Sequence, residues 1–275
     1  MTSDPIGRGD AVADVGVFGG SGLTSFLDTC TERLVDTRWG PPSGPVVVGS
    51  LRGTRVAFLA RHGVRHEIPP HRVNYRANVD AMRQLGVGCL LAPFTAGSLQ
   101  PWIEPGDFVV VDQLVDRTSG RAETFHDCFD DGPSHVPFAD PYDESLRELL
   151  AGAARDLGVR VHDHGTVVVV NGPRFSTRAE SAWFRAMGWH VVNMTQHPET
   201  VLAREAGLRY AAVALVTDYD AGLAGGPDVR AVTQEEVFAC FADNAQRVRA
   251  VLTEAIERVA RVRTTSALAP GPLTP

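Results

Sequence analysis

The sequence predicts an α/β fold with a mixed central β-sheet flanked by helices, organised as one domain over residues 11–263. Short β-branched runs closed by Gly or Pro alternate with segments of helical period, and neither a linker-like shift in composition nor an internal repeat divides the chain. With 275 residues, 44% of them hydrophobic, the chain is also long enough to bury one core. The polar start, residues 1–10, and the end, residues 264–275, which turns Pro-rich, read as disordered tails.

Taken in order, Val15 to Phe18 is a strand ending in Gly19-Gly20-Ser21-Gly22, and Val46 to Leu51 with Val56 to Ala60 flanks Arg52-Gly53-Thr54 as a hairpin. From Arg72 the period changes: Tyr75, Val79, Met82 and Leu85 fall at helical spacing and Gly86 supplies the C-terminal cap. Cys89 to Ala92 and Phe108 to Val111 are apolar strands. Ser119 to Asp140, rich in Gly, Pro, Asp and His, has no period and reads as a long loop, either functional or an idle surface excursion. A helix near Glu144 to Leu157, a strand Thr166 to Val170 and a helix opened by the capping-box pattern Thr177-Arg178-Ala179-Glu180 follow. Then come strand Val191 to Asn193, a helix with Pro198 in its first turn and Gly207 at its end, and strand Ala211 to Val216. The last helix carries Phe241, Ala245, Val248, Leu252, Ile256 and Val259 on one face, which predicts packing against the sheet.

Composition excludes several classes of function. A net charge of -7 without runs of like charge argues against nucleic-acid binding. The sequence has no Lys, which removes Schiff-base chemistry, a pyridoxal-phosphate anchor and the phosphate-loop lysine. Cys30, Cys89, Cys128 and Cys240 are far apart and form no metal-ligand spacing, so they read as reduced thiols and no metal is expected. No apolar run approaches the ~18 residues of a membrane span and the polar N-terminus is no signal peptide, so a cytoplasmic protein is expected.

Candidate chemistry lies at the strand ends. The glycine loop with Ser21 is either an anion cradle or a tight turn, and Ser25 stands where a dinucleotide fingerprint needs its third Gly. Arg61-His62-Gly63 pairs a bidentate phosphate binder with a second donor. Thr95-Ala96-Gly97-Ser98 and Asn193-Met194-Thr195 occupy the ends of later strands, and together these groups look like one anion pocket. Asp218 and Asp220 follow the Ala211 strand, where alternation puts both carboxylates on one face; their mutual repulsion should raise a pKa. A helix cap plus a solvated acid is the plainer alternative.

Taken together, the motifs resemble the 5′-methylthioadenosine-cleaving branch of the trimeric purine nucleoside phosphorylase family. The matching segments are Gly16 to Leu23, Arg61-His62-Gly63, Val73 to Asn78, Gly97-Ser98-Leu99, Pro105-Gly106-Asp107, Asp112 to Thr118, Gly172 to Ser181, Asn193-Met194-Thr195 and Thr217 to Asp220, all in order. The resemblance implies a pentosyltransferase: phosphate attacks C1′ of a 5′-deoxy-5′-methylthio nucleoside and releases adenine and 5-methylthioribose 1-phosphate, with phosphate as co-substrate and no cofactor. It also implies a homotrimer.

By that resemblance Ser21, Arg61, His62, Thr95, Ala96 and Thr195 would hold phosphate. Phe175, Ser176, Asn193 and Met194 would face the nucleoside, with Gln234 and Val237 at its 5′ end and His135 reaching a neighbouring subunit's 5′ pocket. Asp218 would protonate N7 and Asp220 would accept from the exocyclic amine. The chain departs from the family pattern at Phe94, where a Thr often helps hold phosphate, at Asn171, in place of an acid, and at Gln234, where an apolar residue often lines the 5′ pocket; the 5′ substituent stays open among methylthio, hydroxyl, hydrogen and halogen. A 6-oxopurine nucleoside phosphorylase, weakened by Asp218 where such enzymes carry Asn, and a non-catalytic nucleotide-binding protein are the alternative readings.

Overall fold

The computed structural model describes residues 11–19, 27, 29–129, 132–222 and 232–264. In chain order the elements are β1 (Val15–Gly19), β2 (Thr29–Arg33), β3 (Val46–Leu51), β4 (Thr54–Ala60), α1 (Tyr75–Gln84), β5 (Cys89–Ser98), β6 (Phe108–Val110), β7 (Gln113–Arg117) and α2 (Glu144–Asp156). They continue with β8 (Val161–His162), β9 (Thr166–Val170), α3 (Arg178–Ala186), β10 (Val191–Asn193), α4 (Gln196–Glu205), β11 (Arg209–Asp218) and α5 (Gln234–Thr264).

The expected mixed sheet is present, and it forks at β5. On one edge β5 runs parallel to β11 from Cys89 to Gly97. On the other edge Cys89 to Leu91 pair with β1, whereas Gly97 and Ser98 pair with β10, which runs the opposite way. Between those two partners, Ala92 to Ala96 pair with no strand on that edge among the described residues. From the fork one arm continues through β1 to β4, β3 and β2, another through β10 to β9 and β7, and β11 leads to β6 and β8.

Side-chain alternation along the central strands feeds a core on each face of the sheet. Leu90 and Ala212 point into one core with Phe18, Val79 and Met82 of α1 and Leu202 of α4. Leu91 and Val213 point into the other with Leu146 and Leu150 of α2 and Val248, Leu252 and Ile256 of α5. The apolar face read from the last helix is therefore the one that packs. Local signals act as expected: Arg52 (φ 47) and Gly53 (φ 85) make the two-residue left-handed turn of the β3–β4 hairpin. The Thr177 side chain and Glu180 close a reciprocal capping box on α3.

Four expectations need correction. The strand starting at Cys89 does not stop at Ala92 but runs on through Pro93 to Ser98, so Thr95 to Ser98 lie within a strand, past the last residue that needs a β1 partner. Strands β2, β7 and β8 escape the apolar pattern: β2 is Thr-Cys-Thr-Glu-Arg and β7 ends in Asp-Arg, both at sheet edges, and β8 has two residues. α4 begins at Gln196, with a non-helical break at His197 before Pro198. α5 reaches Thr264, which had been placed in the tail; the rest of both tails lies outside the described residues.

Leu252 is fully buried where α5 meets the sheet. Leu252→Ala should lower unfolding free energy by about 2–5 kcal/mol in chemical denaturation, without altering the strand ends on the far side of the fork.

Candidate functional site

The fork opens a cavity of about 700 Å³, and the ends of β4, β5, β9, β10 and β11 and the start of α5 line it. Open sheets place sites where strand order splits, because the diverging loops leave a crevice. Of the residues singled out from the sequence, Arg61, His62, Thr95, Ala96, Thr195, Phe175, Ser176, Asn193, Met194, Gln234, Val237, Asp218 and Asp220 all line it. Ser21 lies outside the described residues. His135 is exposed on the long loop, its ring 5.7 Å from Phe129, and is not part of its own chain's cavity wall.

Asn193 sets the width of the fork. Its Nδ2 donates to the Thr95 carbonyl at 3.0 Å, and its Oδ1 accepts from the N–H groups of Thr195 (2.6 Å) and Gln196 (2.9 Å). The side chain expected to face a nucleoside is therefore spent on tying β10 to β5. Arg121, from the loop, holds the same region from outside by donating to the carbonyls of Asn171 (3.0 Å), Met194 (2.9 Å) and His197. Asn171 donates through Nδ2 to Ser119 O (3.1 Å) and accepts the Ser119 N–H, so this departure clasps the start of the loop.

Arg61 is less available than the sequence suggests. Only 3% of it is exposed, and its Nε and Nη2 form a two-point ion pair with Glu199 at 2.6 and 2.9 Å. Burial disfavours the charged guanidinium, but Glu199 outweighs burial and the pKa ends above its usual value. His62 is neutral: burial and then the Arg61 charge push it down to about 4. Its Nδ1 lies 2.9 Å from the Ile68 carbonyl, which fixes the proton on Nδ1 and leaves Nε2 as an acceptor. The expected second donor is thus an acceptor in the free protein.

The two acids converge for a different reason than strand alternation. β11 bulges between Val216 and Asp218, and Asp220 takes a left-handed conformation (φ 52), which turns its N–H onto Asp218 Oδ1 at 2.7 Å. Thr217 Oγ1 donates to Asp218 Oδ2 at 2.6 Å. Both carboxyls are raised, and burial leads in each; for Asp218 the charge of Asp220 is a lesser contributor behind it. Gly97 makes this possible, since a Cβ there would meet Asp218 Oδ1 at 2.8 Å and Asp220 N at 3.1 Å. Gly172 does the same for Met194, whose sulfur would be 2.4 Å from an added Cβ.

Asp220 is buried in this wall beside the hydroxyls of Ser181 and Ser176, which pull against the rise that burial gives its carboxyl. Buried polar atoms are normally satisfied, and here a carboxyl and two hydroxyls satisfy one another at the edge of the cavity, where a polar ligand could join them. Apolar surface stands beside them: Phe175, 38% exposed, Met194 and Phe94, with Val237 and Phe238 from α5. His66 stacks on His62 at 4.6 Å and meets the Phe238 ring edge-on at 6.1 Å.

Sequence reading missed Glu199, His66, Phe238, Thr217 and the steric role of Gly97. Glu199 looks like an acid in a first helical turn, and nothing near it in the chain announces a partner 138 residues away. His66 was within reach, four residues after His62 on the same strand exit.

A family model described as the phosphorylase superfamily matches residues 14–257. Among similar proteins, the S-methyl-5′-thioadenosine phosphorylase of Mycolicibacterium smegmatis is 52% identical over 251 residues, covering 91% of this chain and 93% of that protein. A purine nucleoside phosphorylase of Streptomyces coelicolor is 50% identical, covering 89% and 88%. Among solved structures, the methylthioadenosine phosphorylase of Schistosoma mansoni in complex with adenine superposes with a TM-score of 0.84 at 38% identity, over 93% of this chain and 97% of that one.

A carboxyl whose folded pKa is raised favours folding fully at pH below its unfolded pKa and loses that contribution as pH rises through the folded pKa. Asp218→Asn, which keeps an acceptor for the Asp220 N–H, should therefore raise the melting temperature at pH 8 and change it little at pH 4. Scanning calorimetry at the two pH values checks this, and equal shifts at both would contradict the raised pKa of Asp218.

Proposed function

The chain belongs to the phosphorylase superfamily, and we propose that it cleaves 5′-methylthioadenosine with inorganic phosphate to adenine and 5-methylthioribose 1-phosphate. The observation that carries this reading is the pair of raised carboxyls, half-buried Asp218 and buried Asp220, sharing one cavity with Arg61, His62, Thr95 and Thr195.

The chemistry follows from where charge develops. A phosphate oxygen attacks C1′ as the C1′–N9 bond breaks, and the electron pair of that bond passes into the purine. Asp218, whose protonated form burial favours, donates a proton to N7, while Asp220 Oδ2 accepts from the exocyclic amine. The phosphate needs alignment rather than activation. Arg61 Nη1, the hydroxyl of Thr195 and the β5 backbone near Thr95 and Ala96 serve as its donors, together with Ser21. His62 Nε2 takes the hydrogen bond of a protonated phosphate oxygen. Phosphate is the co-substrate in this reading and no cofactor takes part.

Phe175 and Met194 pack on base and ribose. The wall of His66, Val237 and Phe238 suits an apolar 5′ substituent, with Gln234 at its rim. The purine nucleoside phosphorylase name of the Streptomyces coelicolor relative points to the wider alternative, 6-oxopurine cleavage. An amide at position 218 would both donate and accept along the O6 and N7 edge at any pH, whereas Asp218 can donate only when protonated. His135 has no role in its own cavity, so the reading makes the protein a homotrimer in which the long loop brings His135 to a neighbour. Among the described residues no helix is long and apolar enough to cross a membrane, which agrees with a cytoplasmic salvage enzyme.

Base release should be strictly phosphate-dependent; equal release in phosphate-free buffer would make the protein a hydrolase. Adenine nucleosides should be preferred over inosine, with the preference lost in Asp218→Asn together with the alkaline limb of the pH profile. Steady-state rates on both nucleosides from pH 6 to pH 10 decide this. Sedimentation should give a trimer, and a His135→Ala variant should lose 5′-methylthio preference; an active monomer would remove His135 from the site.

A further inference from the structure

Arg61 meets the cavity on one edge only, and the residue that dictates which edge lies outside it. Glu199 is fully buried at the start of α4 and does not line the cavity. It takes Nε through Oε2 (2.6 Å) and Nη2 through Oε1 (2.9 Å), and the Tyr210 hydroxyl donates to that same Oε1 at 2.6 Å. The Phe18 carbonyl accepts from Nη2 at 3.3 Å, and the Pro93 carbonyl takes one Nη1 N–H at 3.4 Å. Of the five N–H donors of a guanidinium, one on Nη1 meets no acceptor among the described residues.

Pro93 belongs to the stretch of β5 that neither β1 nor β10 covers, and Phe18 to the end of β1. Glu199 therefore presses the guanidinium into the angle of the fork and determines which nitrogen faces the place where an anion would sit. Its charge also matters. A carboxylate paired with the guanidinium cancels most of the local positive charge, so phosphate is held by a directed donor rather than by a strong field.

We propose that Glu199, steadied by Tyr210, is the positioning residue for the phosphate-binding arginine. This rests on the phosphorolysis reading above. Glu199→Gln keeps the size and one acceptor but replaces the second oxygen with a donor that opposes an Arg61 N–H. It should raise the phosphate KM by about tenfold or more while moving the nucleoside KM by no more than about twofold. Added to Arg61→Ala it should change the phosphate KM no further, because it acts through a group already gone. Tyr210→Phe leaves the carboxylate in place and should give a smaller rise in the same parameter, which keeps the question open to test if Glu199→Gln does not fold.

The decisive measurement is calorimetric titration of inorganic phosphate into wild type and the variants without nucleoside, alongside the kinetics. Wild type should bind phosphate and Glu199→Gln should bind it at least about tenfold more weakly, in line with the KM. A folded Glu199→Gln that binds phosphate as wild type does, or a loss that adds fully to that of Arg61→Ala, overturns the positioning role and leaves the phosphorolysis reading standing. A wild type that binds no phosphate overturns both.

Discussion

One strand lending a single edge to two partners is the constraint on which the site depends. β5 pairs with β1 at its start and with β10 at its end, and the residues between them keep free carbonyls on that edge. Free carbonyls in a sheet interior must be satisfied. Asn193 takes Thr95 and Arg61 takes Pro93, so the polar side chains that fill the crevice are also what keeps it open. Binding surface and scaffold are built from the same hydrogen bonds.

That economy explains how much of the molecule can be read from its sequence. Elements defined by local rules are legible: the Arg52-Gly53 turn, the Thr177 capping box, the apolar face of α5 and the β-branched Thr166 to Val170 all follow from neighbours in the chain. Elements defined by remote partners are not. Edge strands such as Thr29 to Arg33 carry no apolar face because little covers them. Positions of site residues were legible as strand exits, but their states were not. Arg61 reads as a free cation and is half spent on Glu199, His62 reads as a donor and is an acceptor, and Asn193, read as a ligand contact, lines the cavity and also ties β10 to β5.

The two carboxyls illustrate the cost of the design. Burial raises Asp218 and Asp220, which favours their protonated forms and also makes the folded state bear two groups that would ionise more easily in water. Gly97 extends that cost to the backbone, since the close approach of the acids leaves no room for a side chain on β5. Functional demand at one turn is thus distributed over a bulge, a left-handed residue and a glycine on another strand.

The hydrogen bond between His62 and the Ile68 carbonyl has a consequence for ion choice. An imidazole whose proton is committed backwards offers its other nitrogen only as a lone pair. Hydrogen phosphate at neutral pH still carries an O–H to meet it. Sulfate, of the same shape and charge, carries none and would set oxygen lone pairs against nitrogen. On the phosphorolysis reading, a single proton would then sort two abundant tetrahedral anions in this crevice.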